Sequence, residues 1–194
     1  MQYKKKYVNI ILLIKFYILI LRKMDILSEE FTIEENIKWI IETFHEPTYD
    51  FIEKLNEAWY DFFYDHMEDN EKIKILNPLK KVFFNFTWLM LPHIEKEEEV
   101  EFPLLIKWYN DINFPVDNEV IEKIVSEHSE FDEELDELEK WFLSLNIQED
   151  DIHYKKYKKV LDLFLEFKKE CKLHIKAEVD LLQKFINKRN NKIN

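Results

Sequence analysis

The chain has 194 residues, 40 acidic against 28 basic side chains, a formal charge of −12 and no glycine. That length suits one domain with a real core, and the acidic balance works against a phosphate-backbone partner, so nucleic acid is not expected. A sheet protein would need glycine at turns and bulges, and the single Cys171 excludes an intramolecular disulfide, a zinc ribbon and a CxxC centre while being compatible with a reducing cytosol. Residues 1–23 carry Lys4, Lys5 and Lys6 ahead of an apolar run broken by Lys15. The run is short of the roughly 20 residues a membrane helix needs, and no small-residue cleavage site follows. An anchor, an uncleaved targeting segment and an extension upstream of a start at Met24 all fit; the acidic, soluble character from Met24 onward favours the last. Residues 24–194 read as the folded unit.

Thr32-Ile-Glu-Glu35 is a capping-box pattern with Phe31 as a candidate staple. From Ile33 apolar residues recur at helical spacing to Phe63, across Pro47, which could kink the helix. Asn77-Pro78 predicts the start of a second helix reaching about Tyr109, with Pro92 and Pro103 as bends. Asp117 or Asn118 caps a third ending near Leu145, and Asp150 or Asp151 opens a fourth running to about Lys188. Long amphipathic helices with short connections predict an all-α, antiparallel up-down-up-down four-helix bundle.

Within these helices His93-Ile-Glu-Lys-Glu97 and His174-Ile-Lys-Ala-Glu178 each place a histidine and a glutamate four residues apart, on one helix face. One such pair is ordinarily a solvated surface pair. Two, in a chain of six histidines, point to a pair of metal ions, with imidazole nitrogen for each and carboxylates to bridge them. His45 and His128 fall in the other two helices. All four histidines lie roughly 9 to 17 residues from a shared end of the bundle, so at ~1.5 Å per residue they reach one layer. His66 and His153 lie ~32 Å along their helices from His45 and His174 and are set aside. Glu42 stands three before His45, but no glutamate stands three before His93, His128 or His174. The paired Glu-x-x-His pattern of ferritin-like bundles is therefore absent.

This constellation resembles the hemerythrin-like (HHE) domain family, and within it the di-iron proteins that repair iron centres. The stretch Leu91-Pro-His-Ile-Glu-Lys-Glu-Glu-Glu-Val-Glu-Phe-Pro103 carries most of the likeness, with Phe44-His45, Glu127-His128 and His174 to Glu178 supporting it. The resemblance implies His45, His93, His128 and His174 as terminal ligands and Glu97 and Glu178 as bridges. The cofactor it implies is two iron ions in an oxo- or hydroxo-bridged centre. Departures are visible: the extra histidine and the last-helix aspartate of oxygen carriers are missing, as is the cysteine-containing domain of many repair proteins. The implied function is a cytoplasmic protein supporting repair of iron–sulfur clusters damaged by nitric oxide or oxidants, with iron–sulfur proteins as clients. The alternative is a module that binds or senses dioxygen or nitric oxide. Enzyme status is open, a homodimer is compatible with the sequence, and no membrane contact is expected unless residues 1–23 anchor the chain.

Secondary expectations concern the surroundings. Asp132, at i+4 from His128, is a candidate to orient that ring. Tyr49 is a candidate for a channel to the metal, with an ordinary core tyrosine as the competing reading. Cys171 reads as a buried inert thiol, and Phe83, Phe84, Phe86 and Trp88 as core filling. The outward members of the acidic clusters at 95–101 and 130–139 read as solvated faces.

Overall fold

The computed structural model describes residues 31–64, 70–111, 113–115, 118–145 and 147–193. The expectations for residues 1–23 and His66 fall outside these. Thr32 opens the first helix with both halves of the capping box: its N–H donates to Glu35 Oε2 at 2.8 Å, and Glu35 N–H donates back to Thr32 Oγ1 at 3.2 Å. The staple does not form. Asn36 occupies the position that Phe31 would need as an apolar partner, and its amide donates instead to the Thr32 carbonyl at 2.9 Å.

This helix, α1, comprises α-helical Ile33–Ile40, a π-helical turn Ile41–His45 and α-helical Glu46–Tyr64. Helix α2 repeats the arrangement, with Asn70–Lys96, a π-helical turn Glu97–Glu101 and Phe102–Asn110. Helices α3 and α4 run Asn118–Ser144 and Tyr154–Ile193. The start of α2 corrects the Asn77-Pro78 reading. Leu76 and Leu79 are both buried in the core, so the apolar stripe continues through Pro78 and packing overrides the capping signal. Helix α4 begins three residues later than Asp151 because that residue makes a turn first, accepting from the His153 N–H at 2.8 Å and from the Tyr154 N–H at 3.0 Å.

Helix α1 packs on α2 and α4, and α3 packs on α2 and α4, closing a four-helix bundle. Its core is divided. One cluster, built on Trp59, Phe83, Phe142 and Phe164, fills one end. A second, built on Ile40, Trp108, Leu181 and Phe185, fills the other. At about 25 cal/mol per Å² of apolar area removed from water, these large side chains supply the main driving force. Between the clusters lies a buried polar layer of His45, Glu97, His128, His174 and Glu178. Trp88 departs from the core-filling expectation: it is 78% exposed, because α2 turns Phe83, Phe86 and Met90 inward. Among the described residues no helix is long and apolar enough to cross a membrane.

Candidate metal centre

Each helix contributes one histidine to the layer, and the two i,i+4 glutamates complete it. His93 Nε2 lies 2.9 Å from Glu97 Oε1, and His174 Nε2 lies 2.8 Å from Glu178 Oε1. Both carboxylates then reach across the bundle. Glu97 turns Oε1 to His93 and, at 3.1 Å, to His128, while its Oε2 lies 3.3 Å from His45. Glu178 turns Oε1 to His174 and, at 3.6 Å, to His45, while its Oε2 lies 2.9 Å from His128. Each glutamate thus divides its two oxygens between two histidine pairs, His45 with His174 and His93 with His128.

The atoms converge on shared points more than on one another. Glu97 Oε2 and Glu178 Oε2 are buried and have no aligned hydrogen-bond donor, although imidazole nitrogens stand 3.3 and 2.9 Å away. His45 Nε2 and His174 Nε2 face each other at 2.8 Å. Two donors bound ~2.1 Å from one ion at a right angle stand ~3.0 Å apart, so this close approach suits a common ion. One group of candidate ligands is His45, Glu97, His174 and Glu178; a second is His93, Glu97 and His128. All six residues singled out in the sequence are brought together, and donors of nitrogen and oxygen without thiolate suit iron or manganese better than structural zinc.

Electrostatics agree. Burial alone would push the His128 imidazole down, but Glu178 and Glu97 outweigh it and raise it to about 10. His45 and His93 are raised in the same way against their burial, His45 by Glu178, Glu97 and Glu98 and His93 chiefly by Glu97. Burial and the Glu178 charge would push Glu97 up, yet His128 and His93 hold it below the ordinary carboxylate range. Burial would raise Glu178 too, but His174, His128 and His45 hold it well below. Without metal, protons on the imidazoles stand where cations would, since two buried carboxylates this close require positive charge between them.

The surroundings hold most of the surprises. His45 Nδ1 lies 2.8 Å from Glu98 Oε1, a partner hidden in the acidic run. The only signal for it was its place in the run of three glutamates at 97, 98 and 99. Asp132 does not orient His128: it pairs with Lys172 at 2.7 Å, and His128 Nδ1 is buried without a partner among the described residues. Lysine across the α3–α4 seam competes better for that carboxylate than an imidazole on its own helix. Asp136 and Glu139 likewise pair with Lys168, so part of the second acidic cluster is a ladder between helices. Glu101 is buried and meets Lys96 at 2.6 Å, which also holds Glu127 at 2.5 Å.

Tyr49 is 43% exposed and is not a core tyrosine. Glu42 is exposed and lies 3.6 Å from Lys38. The thiol of Cys171 is buried, and that burial pushes it far up, with Glu170 adding to the effect. His153 sits in the turn before α4, near a helix end as expected. Beside the ligands a cavity of ≈ 10 Å³ touches Glu97, His128 and Glu178, room for about one water-sized molecule.

A family model described as the hemerythrin HHE cation binding domain matches residues 36–186. No curated protein and no solved structure gives a significant match.

Proposed function

The chain belongs to the hemerythrin HHE cation-binding family, and on that premise we propose that it holds two iron ions and supplies iron for the repair of damaged iron–sulfur clusters. One observation carries the reading of two ions: each of Glu97 and Glu178 sends one oxygen to each histidine pair. A single ion would leave one of those pairs, buried and polar, without a purpose. His45 and His174 would hold one ion, His93 and His128 the other, with both carboxylates bridging. The repair role is supported by a donor set with fewer histidines than an oxygen carrier, which would hold iron less tightly. The opposed pairs Tyr60–Phe84 and His45–Glu98 also support an up-down course for α1 and α2.

Bound iron supplies redox chemistry and open coordination positions for small ligands such as dioxygen or nitric oxide. The chain's own part is to hold and orient. Phe102 stacks on His45, Phe44 on His174 and Phe131 on His93, at centroid separations of 5.6, 5.3 and 5.4 Å. The two apolar clusters keep bulk water from both ends of the layer.

The test is iron content and visible absorption of anaerobically purified protein, followed by incubation with an apo iron–sulfur protein. Two irons per chain, passed on to restore the acceptor's cluster, are expected. Two irons that bind dioxygen reversibly and do not transfer would replace repair with gas binding. Absence of metal, with His93→Ala and Glu97→Ala leaving stability unchanged, would remove the centre itself.

A further inference from the structure

The two halves of the cluster differ in what surrounds them. At His45, Nδ1 faces Glu98 Oε1 at 2.8 Å. An ionised carboxylate only accepts, so the ring carries its hydrogen on Nδ1 and turns the Nε2 lone pair inward. Phe102 lies against the same ring, so its plane is held as well as its tautomer. The candidate ligands on this side number four, and all are buried. At His128 the corresponding Nδ1 is buried and has no partner among the described residues. Its group numbers three, although across the layer each carboxylate reaches one histidine of the opposite pair, Glu97 to His45 and Glu178 to His128. His93 is also the ligand nearest solvent, with 14% of its side chain exposed against at most 5% for the other five. The small cavity touches His128 but not His93, His45 or His174.

We propose that the two metal positions are unequal, the His45–His174 position retaining its ion and the His93–His128 position being the one that exchanges, with Glu98 as the positioning residue that sets the difference. The inference rests on the two-ion reading above and adds which ion leaves. A carboxylate accepting from a ligand histidine fixes its orientation and raises its basicity, and losing such a partner commonly lowers metal affinity 10–100-fold. An ion donated to a client would therefore depart past His93, the ligand already in contact with water.

The test uses full-length protein loaded anaerobically with ferrous iron and mixed with excess of a colorimetric ferrous chelator. Release is expected in two phases of equal amplitude, differing about 10-fold or more in rate. His93→Ala should abolish the fast phase, and His45→Ala should leave one ion that departs fast. Glu98→Ala should merge the phases, while Glu98→Gln, which keeps an acceptor oxygen, should largely preserve them. A single phase releasing two ions, a slow phase lost in His93→Ala, or unchanged kinetics in Glu98→Ala would overturn the inference and leave the two-ion reading standing. Fewer than two ions bound at saturation would overturn that reading and the inference with it.

Discussion

Titrating the metal-free protein upward through the range from 6.5 to about 10 removes the proton that His128 holds between Glu178 and Glu97. The group is raised in the folded state, so its contribution to stability is complete below 6.5 and disappears as pH rises through about 10. At ~1.4 kcal/mol per unit the full contribution is on the order of 5 kcal/mol, and roughly 3 kcal/mol of it is lost between pH 7 and pH 9. The lowered carboxylates of Glu97 and Glu178 describe the same attraction from the other side and are not added to this figure. Metal behaves oppositely. An ion must displace that proton, so its apparent affinity should climb about tenfold per pH unit over the same window, and the raised values of His45 and His93 steepen the climb. Urea unfolding of chelator-treated protein measures the first effect, with His128→Gln as the control that should lack it. Competition between the protein and a colorimetric chelator for a redox-inert ion such as Zn²⁺ measures the second. Affinity that stays flat from pH 7 to pH 9, or a His128→Gln variant with an unchanged stability slope, would refute the reasoning.

Glu178→Gln should keep the helical content, because the two apolar clusters lie above and below the layer, yet reduce bound metal from two ions to one or none by elemental analysis. Phe164 is fully buried and 4.8 Å from Phe142 by ring centroids; Phe164→Ala should cost about 3–5 kcal/mol in urea unfolding without changing metal stoichiometry. Hydrogen bonds from Lys168 and Lys172 pull Asp136 down to about 2. An NMR titration should show this, with the ladder's stabilisation present above 3.8 and lost as pH falls through about 2. Replacing both lysines by Met should return the carboxyl to its ordinary range while changing stability by no more than about 1 kcal/mol, since Asp136 is exposed.

The ligand set was legible because an i,i+4 pair survives any helical context: His93 with Glu97 and His174 with Glu178 lie within one turn and keep their contact in the folded chain. His45 and His128 were recoverable from depth along the helices, a cruder measure that worked because the layer spans the whole bundle. Glu98 was not recoverable. On a regular helix the neighbour of an inward residue points roughly 100° away, and spacing within α2 does not say that Glu98, at the start of the π turn, meets His45 on another helix. Asp132 failed for a different reason. Its spacing from His128 is sound, but the winning partner, Lys172, comes from another helix, and periodicity within one helix carries no information about the facing surface. The same blindness hid the early start of α2, where Leu76 and Leu79 outweigh a proline that reads locally as a first turn.

Each π turn ends just before a proline, which ties Pro47 and Pro103 to the metal layer, whereas Pro78 and Pro92 lie within regular α-helix. Glu46 donates its N–H to the Ile41 carbonyl and Phe102 donates to Glu97, five residues back in each case, and each donor immediately precedes a proline. In a regular helix the rings of Pro47 and Pro103 would meet the carbonyls four residues earlier and offer no N–H to them. A widened turn just upstream moves those carbonyls aside. It also shifts the phase of every later residue, and the shifts fall where His45 closes one turn and Glu97 opens the other. Pro103→Ala removes the obstruction and restores a donor, so residues 97–101 gain the option of a regular helix. Helical content by circular dichroism should be equal or higher. Glu98 should swing away from His45, and metal should be held more weakly, about 10-fold at the His45–His174 position. A variant that binds both ions with unchanged affinity would show that packing around Phe102 and Leu105, rather than the proline, maintains the turn.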